Sequence, residues 1–468
     1  MHLSNPFRLA LLLPLFELAS STPIIVHDGL KKEDIWVRKE NTLNSTSRHD
    51  AHSSSSNSIT NVHATNTTDS DDTNSTIVHQ AAASSNLPIN IVNKWNSNNI
   101  KVYISGLDDK GALVMLGKSG QWVYPTTSSS TPQPVPDSVA IPLGKPNSTL
   151  PLTLPGYLIS GRIWIAVGGL QFFVVSTPNG PGLVQPSAAN QNDPSAEVNY
   201  AFAELTWNSQ LGIYADITAV DFVGLPLGIK LKDGNGTTQS IAGTPANAAQ
   251  VLCDQLKAQK KKDGRGWDQL CVYNSAKKLI RVLSPSNLPA GGQNPFGTYF
   301  AKYVDDVWNH YSTNDLTINT QSSPGNVTCR TKGDKLQCAG DNRGYAKPNN
   351  RDIFGCNTGP FSIQQGDNAV HLAVVPRLCA AFNRATLLIP GGNVQPSLPP
   401  AKYYTADNQR PADSRPRNWY SQLVHQIETG GRGYAFSYDD VAPSDQEDQS
   451  GLVASADPKL FTVIVGTS

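Results

Sequence analysis

The stretch from Tyr200 to Gly228 reads YAFAELTWNSQLGIYADITAVDFVGLPLG and predicts two neighbouring strands that carry three carboxylates. Its first half alternates, so that Glu204 and Thr206 share one face with aromatic residues while mainly small apolar residues occupy the other face. Because the small apolar face can pack on a core, we expect the acidic face to line a cleft or to meet solvent.

The other two carboxylates, Asp216 and Asp221, lie in the segment YADITAVDF. Their spacing of five residues puts them on opposite faces of a strand unless a bulge or a strand end intervenes, and the turn-rich GLPLG that follows favours a strand end. Two carboxyl groups aimed into one cleft can hydrolyse a glycosidic bond, one as proton donor and the other as base or nucleophile. Surface acids on a half-exposed sheet are the alternative interpretation.

Length and charge narrow the class of protein. The chain has 468 residues, 38% of them hydrophobic, which is enough to bury one large or two ordinary cores. Lys+Arg and Asp+Glu both number 37, so no excess of positive charge favours nucleic acid or an anionic membrane. We therefore expect a monomer whose partner is a neutral polymer.

The N-terminal part of the chain is typical of export. Residues 1–21 contain Arg8, the short apolar stretch LALLLPLFELA and small residues before an expected cleavage site, as in a secretory signal. Residues 22–86 are dominated by Ser, Thr, Asn and Asp and predict a disordered, glycosylated arm. We expect a secreted protein, extracellular or associated with a cell wall. Its N-glycosylation sequons begin at Asn44, Asn66, Asn74, Asn147, Asn235 and Asn326.

Folded structure is predicted from Leu87 onward. Short segments rich in β-branched and aromatic residues, separated by Gly, Pro and Asn, predict a mainly β sandwich or barrel at residues 87–235. The segments TPANAAQVLCDQLKAQ, with a Thr N-cap and Pro245 at the first helical position, and TYFAKYVDDVWNHYS predict helices in an inserted, smaller mixed α/β domain at 236–350. Residues 351–468 complete the β domain and contribute the helical segments RLCAAFNRATLL and RNWYSQLVHQIETGG. We expect a long groove between the two domains.

The cysteines indicate structural disulfide bonds, and the histidines do not indicate a metal site. All six cysteines follow residue 250, and proximity in sequence favours three pairs among the fifteen possible pairings, namely Cys253 with Cys271, Cys329 with Cys338, and Cys356 with Cys379. The histidines lack ligand-like spacing, and the sequence has no HExxH, GxSxG or phosphate-binding glycine loop. We expect no metal and no cofactor.

Several motifs occur in one order along the chain: AELTWN, YADITAVDFVGLPLG, VPRLCAAFNRATLL, NWYSQLVHQIETGGRGYAFSYDDV and a closing FTVIVG. Together they resemble the thaumatin-like scaffold and, more specifically, fungal members of glycoside hydrolase family 64, β-1,3-glucanases that release short laminari-oligosaccharides. The resemblance covers about Leu87 to Ser468. It implies that Glu204 is the general acid and Asp221 the general base of an inverting hydrolysis.

The same resemblance implies further contacts with sugar. Thr206 and Asn208 match the family's substrate-binding Thr and Asn, and Tyr214 stands where bacterial relatives have a Trp at a subsite. Asp216 is expected to act as a supporting or sugar-hydroxyl contact. Asp439 and Asp440, in the segment YDD, either close the opposite side of the groove or form an ordinary turn.

The sequence therefore predicts a secreted endo-acting β-1,3-glucanase with β-1,3-glucan as its partner. A glucan-binding wall protein without turnover and a structural wall component anchored through its arm are the alternatives. The intact pair Glu204 and Asp221 favours the enzyme, because a pure binding protein has no need of two such carboxyl groups. The small number of cysteines argues against the plant antifungal class of thaumatin-like proteins.

Overall fold

The structure is a computed structural model that describes residues 42–43, 85–288, 294–405, 416–446 and 448–466. The predicted signal, nearly all of the predicted arm and the sequons at Asn44, Asn66 and Asn74 lie outside the described residues. Within the described ranges the chain forms 24 strands and five α-helices. The expected mainly β class is confirmed, and a strand occupies Leu87–Asn93.

Two sheets pack face to face and enclose the first hydrophobic core. The larger sheet contains β3 (Ile100–Leu107), β4 (Leu113–Leu116), β5 (Trp122–Val123), β7 (Ile141–Pro142), β9 (Leu158–Val167), β12 (Asn199–Asn208), β13 (Gly212–Ile217) and β23 (Val453–Ser455), in the order β23-β13-β12-β9-β3-β4-β5 with β7 beside β3. The smaller sheet contains β2 (Leu87–Asn93), β8 (Thr149–Leu154), β15 (Leu227–Asp233), β16 (Thr238–Ile241) and β24 (Pro458–Val465), in the order β16-β15-β24-β2-β8. Alternate residues such as Ile163, Leu205 and Val463 fill the space between them.

Three small sheets flank this sandwich. The first is β1 (Thr42–Leu43), β6 (Gln133–Pro134), β10 (Phe173–Thr177) and β11 (Gly180–Val184). The second is β14 (Phe222–Val223), β17 (Cys271–Tyr273) and β18 (Leu279–Leu283). The third is β19 (Leu316–Asn319), β20 (Asn326–Lys332), β21 (Lys335–Cys338) and β22 (Val394–Gln395), in which β22 runs parallel to β19.

Strand β1 corrects one expectation about the arm. Thr42 pairs with Val184, and Leu43 pairs with Leu183, so these two residues of the predicted disordered segment form regular structure. Otherwise β11 would offer an unpaired edge on this side, and such an edge accepts an extended segment through main-chain bonds with little demand on side chains. Composition therefore gives no signal for this contact.

The helices lie on the opposite face of the larger sheet. They are α1 (Ala248–Asp263), α2 (Ala301–Thr313), α3 (Asn350–Gly355), α4 (Ala369–Asn383) and α5 (Trp419–Ile427). A second core joins this face of the sheet to the helices through buried residues such as Trp164, Phe202, Leu252, Trp308 and Phe382. The division into domains at 235 and 350, the inserted domain and the thaumatin-like scaffold remain predictions.

Two predicted helix boundaries were wrong. Helix α1 begins at Ala248, with Asn247 as its N-cap, because Pro245 belongs to the preceding turn, where its carbonyl accepts from the Ala248 amide. Helix α4 begins at Ala369, well before the predicted segment, and contains Pro376. The side chain of Asn368 caps its first turn by accepting from the His371 amide at 3.0 Å, and burial of nearly the whole helix compensates for the lost main-chain bond at proline.

The three disulfides join Cys253 to Cys271, Cys329 to Cys338, and Cys356 to Cys379, as predicted. No helix in the described part of the chain has the length and apolar character needed to cross a membrane.

Candidate active site

Three charged residues form a row across the larger sheet. Glu204 on β12 lies opposite Asp216 on β13 and, on its other side, opposite Arg162 on β9. Their neighbours along the strands, Ala203 and Ala215, point into the sandwich core. The period of two in a strand therefore turns the row to the other face, toward the helices. Glu204 thus lies on the face of β12 opposite its small apolar residues, and the cleft along this face stays a prediction.

Arg162 connects this row to its surroundings. Its Nε donates to Oε1 of Glu204 at 2.9 Å, and its Nη1 donates to Oε1 of Gln185 at 2.9 Å. The guanidinium carbon lies 4.3 Å from the ring centroid of Phe202, so the cation also rests on an aromatic face. A side chain held by an ion pair, an amide and a ring has one preferred orientation, and Arg162 in turn fixes Glu204.

Asp221 reaches the same site from outside the sheet. Strand β13 ends at Ile217, and Asp221 lies in the bend before β14, so the predicted strand end is confirmed. The Asp221 carbonyl accepts from the Ser284 amide at 2.9 Å and from Nδ2 of Asn287 at 3.3 Å. The ring of Phe222 then packs on Tyr200 at 5.1 Å, which ties this bend to β12.

The acids of the site influence one another's pKa values. Burial raises the pKa of Asp221, the charge of Arg162 opposes this shift, and the charge of Glu204 adds to it. Burial and the charges of Glu204 and Asp440 hold the pKa of Asp216 well above its ordinary value, with Arg162 again opposing. Oδ1 of Asp216 is buried and has no hydrogen-bond partner within the protein. Such a group is suited to bind a hydroxyl of a ligand.

Asp440 approaches the site on a separate segment. Main-chain bonds join Tyr434 to the end of β13, with the Tyr434 amide donating to Ile217 at 3.2 Å and the Ala219 amide donating to Tyr434 at 2.6 Å. Burial, together with the charge of Asp448, raises the pKa of Asp440 to about 7. Asp440 is half-buried, and its charge contributes to the raised pKa of Asp216, while its place on the far side of a sugar-binding groove stays a prediction.

Asp439 does not belong there. Its side chain is 0% exposed, and Oδ2 accepts from the amides of Ala435 and Phe436 at 2.6 and 3.1 Å. The same carboxylate pairs with Arg384 at 3.3 Å and lies 3.3 Å from Nε2 of His425. A direct contact between Asp439 and a sugar is at odds with this burial, and the turn interpretation fits Asp439.

The remaining predicted contacts lie toward the hairpin that joins β12 to β13. Thr206 and Tyr214 oppose each other as a cross-strand pair, and Oγ1 of Thr206 accepts from the Ser160 amide at 3.3 Å. Oδ1 of Asn208 accepts from the amides of Gln210 and Leu211 at 3.0 and 2.8 Å, which stabilises the hairpin turn. These bonds give Thr206 and Asn208 structural roles, and their contacts with sugar stay predictions.

Sequence reasoning missed two polar residues of the site. Arg162 lies in the apolar segment RIWIAVGG, where its alternation with apolar residues was the only signal. Gln185 follows β11 directly, and no local pattern distinguishes it. Among the described residues, no group of three His, Cys, Asp or Glu side chains is arranged to hold a metal ion.

Chemically, the site offers two carboxyl groups on different segments around one guanidinium. Two carboxyl groups held apart on different segments can divide the roles of proton donor and proton acceptor. No redox-active or phosphate-binding group is required for such chemistry.

Comparison with solved structures gives the same architecture. A laminaripentaose-producing β-1,3-glucanase, solved in complex with laminaritetraose, aligns with a TM-score of 0.67 and 25% identity, over 82% of this chain and 99% of that one. A β-1,3-glucanase domain from Clostridium beijerinckii aligns with a TM-score of 0.62 and 23% identity, over 82% of this chain and 98% of the other.

Two proteins related in sequence carry the description glucan endo-1,3-β-glucosidase. A glucan endo-1,3-β-glucosidase from Cellulosimicrobium cellulans is 27% identical over 308 residues, which is 64% of this chain and 52% of the relative. The enzyme of the same description from Arthrobacter sp. (strain YCWD3) is 26% identical over 308 residues, again 64% of this chain and 52% of the relative. The chain thus spans about half the length of the curated relatives it matches.

The family pattern described as "Glyco_hydro_64: Beta-1,3-glucanase" matches residues 85–465. This range begins just before β2, ends with β24 and includes the whole acidic row. Because the match extends over most of the chain, the protein belongs to glycoside hydrolase family 64.

Proposed function

We propose that this protein is a secreted, monomeric endo-β-1,3-glucanase that hydrolyses linear, laminarin-type β-1,3-glucan to short oligosaccharides with inversion at the anomeric carbon. The observation that carries the proposal is the placement of Glu204 and Asp221 around Arg162 in a chain of family 64. The relatives named above support the substrate class.

In the proposed reaction, Asp221 accepts a proton from a water molecule as that water attacks the anomeric carbon. The glycosidic carbon–oxygen bond breaks, and Glu204 gives its proton to the leaving oxygen. The hydrogen bond from Arg162 uses Oε1 of Glu204 and leaves Oε2 to carry the proton. Inversion requires room for the water, so we expect the two carboxyl groups roughly 6.5 to 9.5 Å apart when substrate is bound.

The surroundings support this division of roles. Raised pKa values at Asp216 and Asp440 mean that a proton is held within the acidic cluster at mildly acidic pH. Burial raises the pKa of Asp221, and the charge of Arg162 opposes this shift, which favours the ionised form that a base requires. Export is supported by three disulfides and by exposed sequon residues at Asn147, Asn235 and Asn326.

The direct test is incubation of the purified protein with a linear β-1,3-glucan, with a β-1,4-glucan as matched control, followed by separation of the products. We expect oligosaccharides of several sugar units from the β-1,3-glucan alone. Glucose as the sole early product would overturn the endo assignment. Binding of β-1,3-glucan without any product would overturn the enzyme proposal and favour the non-catalytic wall protein.

A further inference from the structure

Gln185 lies beside the proposed catalytic pair without being part of it. Its side chain follows β11, is 6% exposed and accepts a hydrogen bond from Nη1 of Arg162 at 2.9 Å. A guanidinium has donors only, so the amide must present its oxygen to Arg162. Arg162 therefore has two fixed acceptors, the carboxylate of Glu204 and the neutral amide of Gln185.

The neutrality of Gln185 matters for the charge at Glu204. An amide holds the guanidinium in place but does not neutralise it, so the positive charge remains available to Glu204. The other charges around Glu204 are negative and come from Asp216 on β13 and Asp221 before β14, while Asp440 acts on Asp216. The positive charge of Arg162 acts on Glu204, Asp216 and Asp221 alike.

The backbone around Gln185 is held by a buried arginine. Arg281 on β18 is 1% exposed, and its Nη2 donates to the carbonyl of Ala196 at 2.9 Å and to that of Val198 at 2.5 Å. Its Nη1 donates to the carbonyl of Ala188 at 3.3 Å. The segment that follows Gln185 is thereby fixed against β18.

The same strand also locates both proposed catalytic carboxyl groups. The guanidinium of Arg281 lies 4.7 Å from the ring centroid of Tyr200, four residues before Glu204 on β12. The Ser284 amide, just beyond β18, binds the Asp221 carbonyl at 2.9 Å. The segments that carry Gln185, Glu204 and Asp221 are thus all held in place by contacts with β18 and the residues just beyond it.

We propose that Gln185 is a positioning residue of the hydrolysis, which orients Arg162 toward Glu204 without sharing its charge and so sets the pH range in which Glu204 donates its proton. This inference rests on the proposed function. The expected effect of changing Gln185 is a change in kcat and in the pH–rate profile with little change in KM, because Gln185 is buried and contacts Arg162.

Two variants of the full chain test the proposal. Gln185→Glu keeps the size of the side chain but adds a carboxylate that competes for Arg162, which favours protonated Glu204. We expect the alkaline limb of the profile on linear β-1,3-glucan to move to higher pH by about one unit. Gln185→Leu removes the acceptor, and we expect kcat to fall roughly tenfold or more, with KM within about twofold.

The matched control is Gln250→Glu, which makes the same change of net charge on the exposed face of α1, where Gln250 binds Asp254. Its pH profile should coincide with that of the wild type. Equal displacement of the limb in both Glu variants, or wild-type kcat and profile in both Gln185 variants, would overturn the proposal. Failure of Gln185→Leu to fold leaves the nearly isosteric Gln185→Glu to decide. Absence of activity in the wild type itself would instead overturn the proposed function.

Discussion

Glu204 and Asp216 face each other directly across two antiparallel strands, as a cross-strand pair of acids. Like charges in this position repel, and Arg162, on the far side of Glu204, compensates by direct contact. Burial and the two neighbouring acids therefore hold the pKa of Asp216 well above its ordinary value. The site keeps an arrangement that costs stability, which is common where function requires it.

The first prediction follows from this cost. A carboxyl whose pKa is higher in the folded state than in the unfolded state destabilises the folded protein progressively as the pH rises from the unfolded-state pKa through the folded-state pKa. Asp216→Asn removes that loss, so we expect a higher melting temperature at pH 8, by about 2 °C or more. At pH 3 the acid is protonated in both states, and the gain should vanish. Differential scanning calorimetry at both pH values measures it, and a gain of equal size at pH 3 would contradict the electrostatic explanation.

The second prediction concerns the buried carboxylate of Asp439. Burial disfavours a charge on His425, but Asp439 and Glu428 outweigh burial and raise the pKa of His425 to about 10. Asp439→Asn leaves charged His425 and Arg384 without their shared partner, so we expect a loss of about 3 kcal/mol in the free energy of unfolding.

This loss should be measured by urea denaturation at pH 6, below the unfolded pKa of histidine, where the contribution of the charged His425 is fully present. Asp440→Asn is the matched control, because the adjacent residue is half-buried and lacks these cations as hydrogen-bonded partners. Equal losses in the two variants would show that Asp439 has no special structural role.

The third prediction tests the acid. Glu204→Gln preserves the shape of the side chain and an oxygen acceptor for Arg162 but cannot protonate the leaving oxygen. We expect kcat on linear β-1,3-glucan to fall by about a hundredfold or more, with binding of the glucan largely retained. Initial rates and a binding isotherm measure the two effects separately. Nearly normal turnover in a folded variant would remove Glu204 from its proposed role.

The fourth prediction concerns the N-terminal arm. Removal of residues 1–84 deletes β1, whose contact with β11 consists of two residue pairs. We expect a melting temperature within about 2 °C of the full chain and an unchanged rate on soluble glucan. Removal of residues 1–40 is the control that keeps β1. A several-fold loss of rate in the longer deletion alone would show that the docked strand supports the site through β11.

Features of the site that depend on residues close in sequence were predictable, whereas contacts between residues distant in sequence were not. Alternation within one strand was enough to place Glu204 on the face opposite Leu205, and local proximity was enough to pair the cysteines. The partner of Glu204 on its other side was not predictable, since the register of β9 on β12 joins residues separated by two other strands and a long loop. Arg162 therefore went unnoticed.

Adjacent residues showed a different limit. Asp439 and Asp440 are indistinguishable by composition, yet the turn from Ala435 directs Asp439 inward and leaves Asp440 half-buried, with its charge acting on Asp216. Only the amides of Ala435 and Phe436, which donate to Oδ2 of Asp439, make this distinction, and their positions follow from the path of the chain. The predicted start of α4 was wrong for a related reason. Proline disfavours the interior of a helix locally, but burial of the helix in the tertiary structure outweighs that preference.

The last prediction concerns the stereochemistry that Glu204 and Asp221 impose on the hydrolysis. With Asp221 as a base that activates water, no covalent glycosyl intermediate forms, so Asp221→Asn should abolish hydrolysis and azide should restore little of it. The most direct measurement is proton NMR of fresh products from the wild-type protein acting on a linear β-1,3-glucan. We predict that the α-anomer appears first and then equilibrates with the β-anomer. Initial appearance of the β-anomer would contradict the account, because it would make Asp221 a nucleophile in a retaining reaction.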